Sequence, residues 1–277
     1  MKSIQDHRTF YANYIVRSEG SSSEALIAAF ASVERERFMG KGPWPIFIGS
    51  GYLPTISDDP RLLYQDVLVG LATDRGINNG QPSLHARCLA ACAPRVGESV
   101  AHIGAGTGYY TAVLATLIGP SGSVVAYEIE NDLADQARAN LRQFAQVSVV
   151  NASATEATLP AADVIYVNAG ATHPPAAWLD ALRIGGRLVF PLTPNEGFGC
   201  MLLVTRRGNA SYAAEALMRV SFIPCVGARD DASSKALVAS LESQSLKAVR
   251  SLCRGAPPVT GAWYAGKDFW LSTEAPP

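Results

Sequence analysis

Apolar positions along this chain recur first at helical spacing and then in short unbroken runs, and the switching between the two patterns predicts alternating helices and buried strands. Between Thr9 and Phe38, the positions Tyr14, Ala25, Leu26, Ala29, Phe30 and Val33 predict two short helices. They are broken at Ser18–Ser23, whose serines can cap the second helix. Residues 40–60 hold Pro43, Pro45, Pro54 and Pro60 among four glycines, which predicts a long ordered loop without regular structure over most of its length. With Trp44, Phe47 and Tyr52 in it, the loop reads as a cover. Leu62–Leu71 is apolar enough for a strand or a short helix, and the polar, turn-rich Thr73–Pro82 follows it. Pro82 suits the first position of a helix over about 83–93, with Leu84, Cys88 and Cys92 on one face and Pro94 at its end.

From Ser99 a strand runs into three glycines at alternate positions, Gly104, Gly106 and Gly108, and then into a helix over Tyr110–Ile118. Next come a strand at Ser123–Glu128, a helix capped by Asn131-Asp132 and running to Gln143, strands at Val147–Val150 and Asp163–Asn168, a helix at Pro175–Leu182 and a strand at Gly186–Pro191. This spacing predicts βαβ units, hence an α/β fold with a doubly wound, mostly parallel sheet. Met201–Thr205 and Ala216–Pro224, joined around Gly208-Asn209 with no room for a crossover helix, add an antiparallel hairpin and bring the sheet to seven strands. Leu237, Leu241, Val249 and Leu252 predict an amphipathic helix capped by Asp231 and stopped near Gly255 and Pro257-Pro258. Ala262–Leu271 reads as an aromatic hairpin turning at Gly266-Lys267. The expected organisation is N-terminal helices and covering loop over 1–75, a ligand-binding core over 76–228 and an extension over 229–277.

Composition narrows the partners. Twenty-three Lys and Arg against 24 Asp and Glu give neither a nucleic-acid footprint nor a polybasic membrane patch, so a small molecule or a peptide is the expected partner. Five cysteines at spacings matching no zinc pattern read as free, buried thiols, and no metal site is expected. The start, Met1–Arg8, is polar, and no apolar run approaches the roughly 18 residues of a membrane span, so a reducing cytoplasm is the expected compartment.

The glycine turn carries the chemistry. A dinucleotide fingerprint wants glycine at the first, third and sixth positions, but the sixth here is Tyr109 and the third glycine comes one residue early. Glu128 closes the next strand 20 residues after Gly108, where its carboxylate can accept from both hydroxyls of a ribose. Tyr109 and Tyr110 offer aromatic faces toward a sulfonium.

At these residues the chain resembles the class I S-adenosylmethionine-dependent methyltransferases. Gly185–Pro191 and Arg219–Gly227 share the resemblance, and Val33–Met39 and Asn78–Ala86 narrow it to the protein-L-isoaspartate O-methyltransferase family. It covers about residues 10–228. Gly80 stands where that family has the active-site serine of its Thr-Ile-Ser-x-Pro segment, with Asn78-Asn79 for Thr-Ile, and Pro82 and His85 are kept. The family's Gly-Asp-Gly after the third strand appears as Asn151-Ala152-Ser153. The resemblance implies a Rossmann-like fold and S-adenosyl-L-methionine as cofactor, with S-adenosyl-L-homocysteine as product. It places cofactor contacts at Gln81, Gly104, Ala105, Gly106, Gly108, Tyr109, Glu128, Ile129, Ala152 and Asn168, and catalytic positions at Asn79, Gly80 and His85.

Methyl transfer from a sulfonium is an in-line displacement in which the protein holds a nucleophile against the methyl. A carboxylate of a peptide or small metabolite is already ionised at neutral pH and needs no base, which fits the neutral amides Asn78, Asn79 and Gln81. A hydroxyl or amine would need one, and His85 is the nearest candidate, the alternative being a hydrogen bond to cofactor or loop. His102 reads as a buried, satisfied imidazole, and His173 as either a substrate contact or a loop residue. Asp74 and Arg75 read either as substrate contacts or as a loop ion pair, and Trp44, Phe47, Tyr52, Trp263 and Trp270 either as pocket lining or as packing. A non-catalytic cofactor- or peptide-binding module is the reading from another class, and a nicotinamide dehydrogenase is disfavoured by Tyr109 and the terminal hairpin.

Overall fold

The computed structural model describes residues 3–258, 261–266 and 268–276. Two N-terminal helices form, α1 (Ile4–Arg17) and α2 (Glu24–Ser32). The first starts earlier than Thr9 because Ser3 and Asp6 make a reciprocal capping box, and Ser23 caps the second by accepting from Leu26 N. The proline-rich loop is less irregular than expected: β1 (Pro45–Phe47) and β2 (Tyr52–Pro54) form a small antiparallel hairpin. Its prolines sit opposite each other at the open end, where a missing N–H costs the ladder little. Leu62–Leu71 becomes neither a strand nor a helix as a whole. A single turn of 3-10 helix at Pro60–Leu63 gives way to irregular chain and then to β3 (Gly70–Ala72), which pairs with β4 (Ile77–Asn78). The helix α3 (Pro82–Cys92) follows with Pro82 in its first turn.

Next come β5 (Ser99–Ile103), α4 (Tyr109–Ile118), β6 (Ser123–Glu128), α5 (Asn131–Leu141) and β7 (Val147–Asn151). Asn131 and Asp132 do not cap α5: the cap position is Glu130, without a side-chain cap bond, and Asp132 pairs instead with Arg75 at 2.6 Å. Beyond these lie β8 (Ala162–Val167), α6 (Ala176–Ala181), β9 (Leu182–Leu192), β10 (Gly199–Arg206), β11 (Tyr212–Val220) and α7 (Asp231–Ser243). The chain ends in β12 (Ser251–Arg254), β13 (Ala262–Ala265) and β14 (Phe269–Ser272). The cap of α7 is Asp230, which accepts from Ser233 N, and not Asp231. This helix stops at Ser243, so the helical spacing of Val249 and Leu252 misleads. Leu252 lies in β12, opposite Tyr212 of β11 and Leu271 of β14. The aromatic hairpin forms as β13 and β14, with Lys267 of its expected turn outside the described residues.

Two compact units share the chain, one made of Met1–Glu98 and Ala105–Asn151, the other of Ser99–Gly104 and Ala152–Pro277. In the first, Tyr11 of α1 packs edge-on against Phe30 of α2 and against Tyr64, and β6 pairs with β7 in parallel register from Val124↔Val147 to Glu128↔Asn151. The second holds strands in the order β13-β14-β12-β11-β10-β9-β8-β5. Pairing is parallel across β5, β8 and β9 and antiparallel from β9 onward. The count of seven strands is corrected here. The hairpin β10-β11 is not the end of the sheet, because β12 adds to β11 and carries β14 and β13 with it. Among the described residues no helix is long and apolar enough to cross a membrane.

Candidate functional site

In the first unit the site is built around a buried acid. Glu128 ends β6 at 6% exposure, with Oε2 accepting from Gly106 N at 2.6 Å and Oε1 from Glu130 N at 3.0 Å. Burial raises its pKa above the usual carboxylate value, while those backbone donors oppose the rise. The turn it holds is tight: Gly108 N donates to Ala105 O at 3.0 Å, and Gly106 and Gly108 take φ of +55° and +97°, where a side chain is strained. A Cβ on Gly108 would meet Leu141 of α5 at 2.7 Å, and one on Gly106 would meet Leu71 at 3.2 Å. Asn140 Nδ2 fixes the turn from α5 by donating to Thr107 O at 3.0 Å. Ile129, 43% exposed, follows Glu128, and Asn151 Nδ2 donates to the carbonyls of both.

Tyr109 does not turn its ring to a ligand. It is 2% exposed and packs against Phe30, Phe38 and Tyr110, with its hydroxyl 3.4 Å from that of Tyr11. Burial holds the Tyr109 and Tyr110 phenols well above the ordinary value, so both stay neutral. Tyr110 stacks on His85 with ring centroids 3.7 Å apart, and its hydroxyl donates to Gly80 O at 3.4 Å.

Gly80 completes that arrangement. Its φ is +73°, its N–H donates to Asn78 Oδ1 at 2.9 Å, and a Cβ there would overlap His85 Nε2 and stand 2.9 Å from Cδ2. Only glycine lets the imidazole approach so closely. His85 itself is 1% exposed. Asn79 N donates to Val69 O, and Asn79 Oδ1 accepts from Val69 N at 3.1 Å and from Arg35 Nη2 at 3.4 Å, which fixes the amide so that the buried Nδ2 is the group without a partner.

Two supports of this loop were not visible in the sequence. Arg35 is fully buried and donates to three backbone carbonyls, of Leu63, Gln65 and Val67, at 2.6–2.9 Å, with its guanidinium over the rings of Tyr11 and Tyr109. Its only signal was a charge inside the apolar-flanked Val33–Met39. Asp66 caps α3 from a distance, accepting from Ser83 N and Gln81 Nε2 at 2.8 Å each, so the Gln81 amide is engaged with a carboxylate. Arg75 forms the loop ion pair, to Glu130 and Asp132. Trp44 is buried with Nε1 donating to Gly40 O, Trp263 is buried, and Phe47 packs on Tyr52.

The second unit places the remaining residues. A Cβ on Gly104, at φ +75°, would lie 3.5 Å from Asn168 Cβ. Asn168 Nδ2 is 2.8 Å from His102 Nε2, and Asn168 Oδ1 is buried without a partner. His102 is the buried imidazole expected of it, its pKa pushed down to about 3 by desolvation. Ala152, half-buried, follows Asn151 in a bend. His173 Nδ1 lies 3.1 Å from Thr172 Oγ1 and 3.5 Å from Asp230. None of the five cysteines forms a disulfide; four are buried and Cys253 is half-buried. Among the described residues no group of three His, Cys, Asp or Glu could hold a metal.

Known proteins resemble this chain along most of its length. The family model of protein-L-isoaspartate(D-aspartate) O-methyltransferase matches residues 13–230. A protein-L-isoaspartate O-methyltransferase of Rhodopseudomonas palustris is 31% identical over 217 residues, covering 77% of this chain and 90% of the relative. A solved protein-L-isoaspartate O-methyltransferase superposes with a TM-score of 0.67 at 22% identity, covering 84% of this chain and 69% of the other. A Plasmodium falciparum protein described as a beta-aspartate methyltransferase in complex with S-adenosyl-L-homocysteine superposes with a TM-score of 0.64 at 17% identity, covering 79% and 98%. These likenesses agree with an α/β methyltransferase fold.

Proposed function

Because the chain belongs to the protein-L-isoaspartate(D-aspartate) O-methyltransferase family, we propose that it transfers a methyl group from S-adenosyl-L-methionine to the free α-carboxylate of an isoaspartyl residue in a peptide or protein. The carrying observation is Glu128, a buried acid tethered to the glycine turn by Gly106 N. The residues fit the cofactor. Gly104, Gly106 and Gly108 at positive φ keep the turn tight and free of side chains, and each oxygen of the fixed carboxylate keeps a lone pair for a ribose hydroxyl. When bound, the cofactor supplies an electrophilic methyl on a sulfonium. Transfer of that methyl to the carboxylate would leave a methyl ester and the neutral thioether.

The protein's work is then to bind and orient. Glu128 holds the ribose hydroxyls, the turn of Ala105 to Tyr109 lets the nucleoside end approach, and Ile129 offers an apolar face beside them. Tyr109 contributes through its backbone and not its packed ring. Asn79 and Gly80 form the acceptor loop, followed by the cofactor candidate Gln81; Val69 holds its backbone at Asn79, and Arg35 and Asp66 hold the Asn79 and Gln81 side chains.

A carboxylate acceptor needs no base, and His85 is poorly placed to be one: at 1% exposure it is stacked under Tyr110 with Nε2 against Gly80. This favours the ester over the hydroxyl or amine reading. The near balance of acidic and basic residues and the free thiols support a peptide partner and a cytoplasmic site of action. The test is incubation with cofactor and an isoaspartyl peptide beside its aspartyl twin. A gain of one methyl on the isoaspartyl peptide alone, removed by mild base, is the expected result. A base-stable product overturns the carboxylate, and equal methylation of both twins overturns the isoaspartyl choice.

A further inference from the structure

The loop before α3 and the turn before α4 are joined by one stack of groups. Tyr110 lies in the first turn of α4, two residues after Gly108, and its ring covers the His85 imidazole at 3.7 Å with an interplanar angle of 23°. Gly80 meets the same imidazole at Nε2 and Cδ2, so close that no Cβ fits between them. The Tyr110 hydroxyl closes the circuit by donating to Gly80 O. Leu71, at the end of the same loop region, approaches Gly106. A shift of the α4 first turn is therefore passed by ring contact to Gly80, because close-packed groups cannot absorb it.

We propose that Tyr110, His85 and Gly80 act together as positioning residues that couple occupancy of the glycine turn to the conformation of the acceptor loop, so that the loop tightens around residues 78–82 when the cofactor's product binds. This rests on the methyltransferase reading. His85 works through its ring and its reach, as a spacer, and not through a proton. Coupling of this kind is reciprocal: a ligand that favours one loop conformation raises the affinity of the turn for its own ligand by the same factor.

Hydrogen exchange of the segment 76–84, with and without S-adenosyl-L-homocysteine, tests this on the full chain, with calorimetry giving the dissociation constant. In the unsubstituted protein the product should slow exchange at Asn79 and Gly80 by roughly tenfold, within the 5- to 150-fold span of coupled sites. His85→Gln keeps a flat amide of similar reach and should keep most of that protection. His85→Ala should lose it and, because the coupling is reciprocal, should weaken product binding by up to the same factor of about ten. Should His85→Ala unfold, Gly80→Ala, which displaces the ring without deleting it, carries the same expectation. Binding without protection in the unsubstituted protein, or full protection in His85→Ala, overturns the coupling alone. Absence of any binding overturns the methyltransferase reading and the coupling with it.

Discussion

Gly80→Ala isolates a steric cost that can be worked from the structure. Gly76 provides the control, since its φ is +70° against +73° for Gly80, yet a Cβ on Gly76 meets nothing within 4 Å. Gly76→Ala should therefore cost only the left-handed backbone term, about 1–2 kcal/mol. Gly80→Ala adds overpacking against the His85 ring, worth about 1–3 kcal/mol where neighbours must move. The total, about 2–5 kcal/mol, is a large part of an ordinary domain's stability. At roughly 2–4 °C per kcal/mol, the difference between the two variants should be several degrees in Tm. Urea titrations of both variants, of His85→Ala and of the Gly80→Ala/His85→Ala double variant give the comparison. The double variant should be more stable than the sum of the singles predicts by about 1–3 kcal/mol, because the clash is removed while the backbone strain stays. Equal destabilisation by Gly76→Ala and Gly80→Ala, within about 0.5 kcal/mol, would refute the claim that the imidazole occupies the Cβ space of residue 80.

Three further outcomes follow from the same geometry. Glu128→Gln removes a carboxylate lone-pair set that binds both the turn and a ribose, so calorimetry should show the dissociation constant for S-adenosyl-L-homocysteine rising at least tenfold, with about 1.5–3 kcal/mol per lost charged hydrogen bond. Arg35→Met leaves the carbonyls of Leu63, Gln65 and Val67 without their donor and should lower stability by about 3–5 kcal/mol, read from the urea midpoint. His102, with a folded pKa of about 3 against an unfolded value near 6.5, stays neutral while the unfolded chain takes up a proton. Its contribution is complete above about pH 6.5 and shrinks by up to about 1.4 kcal/mol per pH unit as pH falls toward 3. His102→Gln should flatten that slope in Tm measured between pH 7 and pH 5, and an unchanged slope would count against it.

Local chemistry made much of this legible. β6 is the run Ser123–Glu128 read from its apolar residues, and the glycine turn and Glu128 stand where spacing placed them. What failed was long-range. Val249 and Leu252 keep helical spacing by coincidence, and only the partners Tyr212 and Leu271 decide that this segment is strand. Asp66 caps a helix that begins 16 residues later, and no local capping rule looks so far. Arg35 carries a charge, which the pattern assigns to the surface, and its burial depends on carbonyls from about 30 residues away. Tyr110 was read as facing a ligand because sequence adjacency does not reveal that His85 already covers its ring.

Arg35 also bears on how the protein could be retargeted. One guanidinium gathers the carbonyls of alternate residues, 63, 65 and 67, so the path of this part of the chain is set from inside through main-chain acceptors. The hairpin before it exposes Leu53, and the bend after the hairpin exposes Ile56, at 57% and 95%, and neither takes part in that clasp. Side chains at these exposed positions can be exchanged at a cost within about 0.5 kcal/mol, because none of the bonds of the clasp runs through them. A library varied over 53 and 56 and fixed at Arg35 would sample new surface chemistry on an unchanged frame.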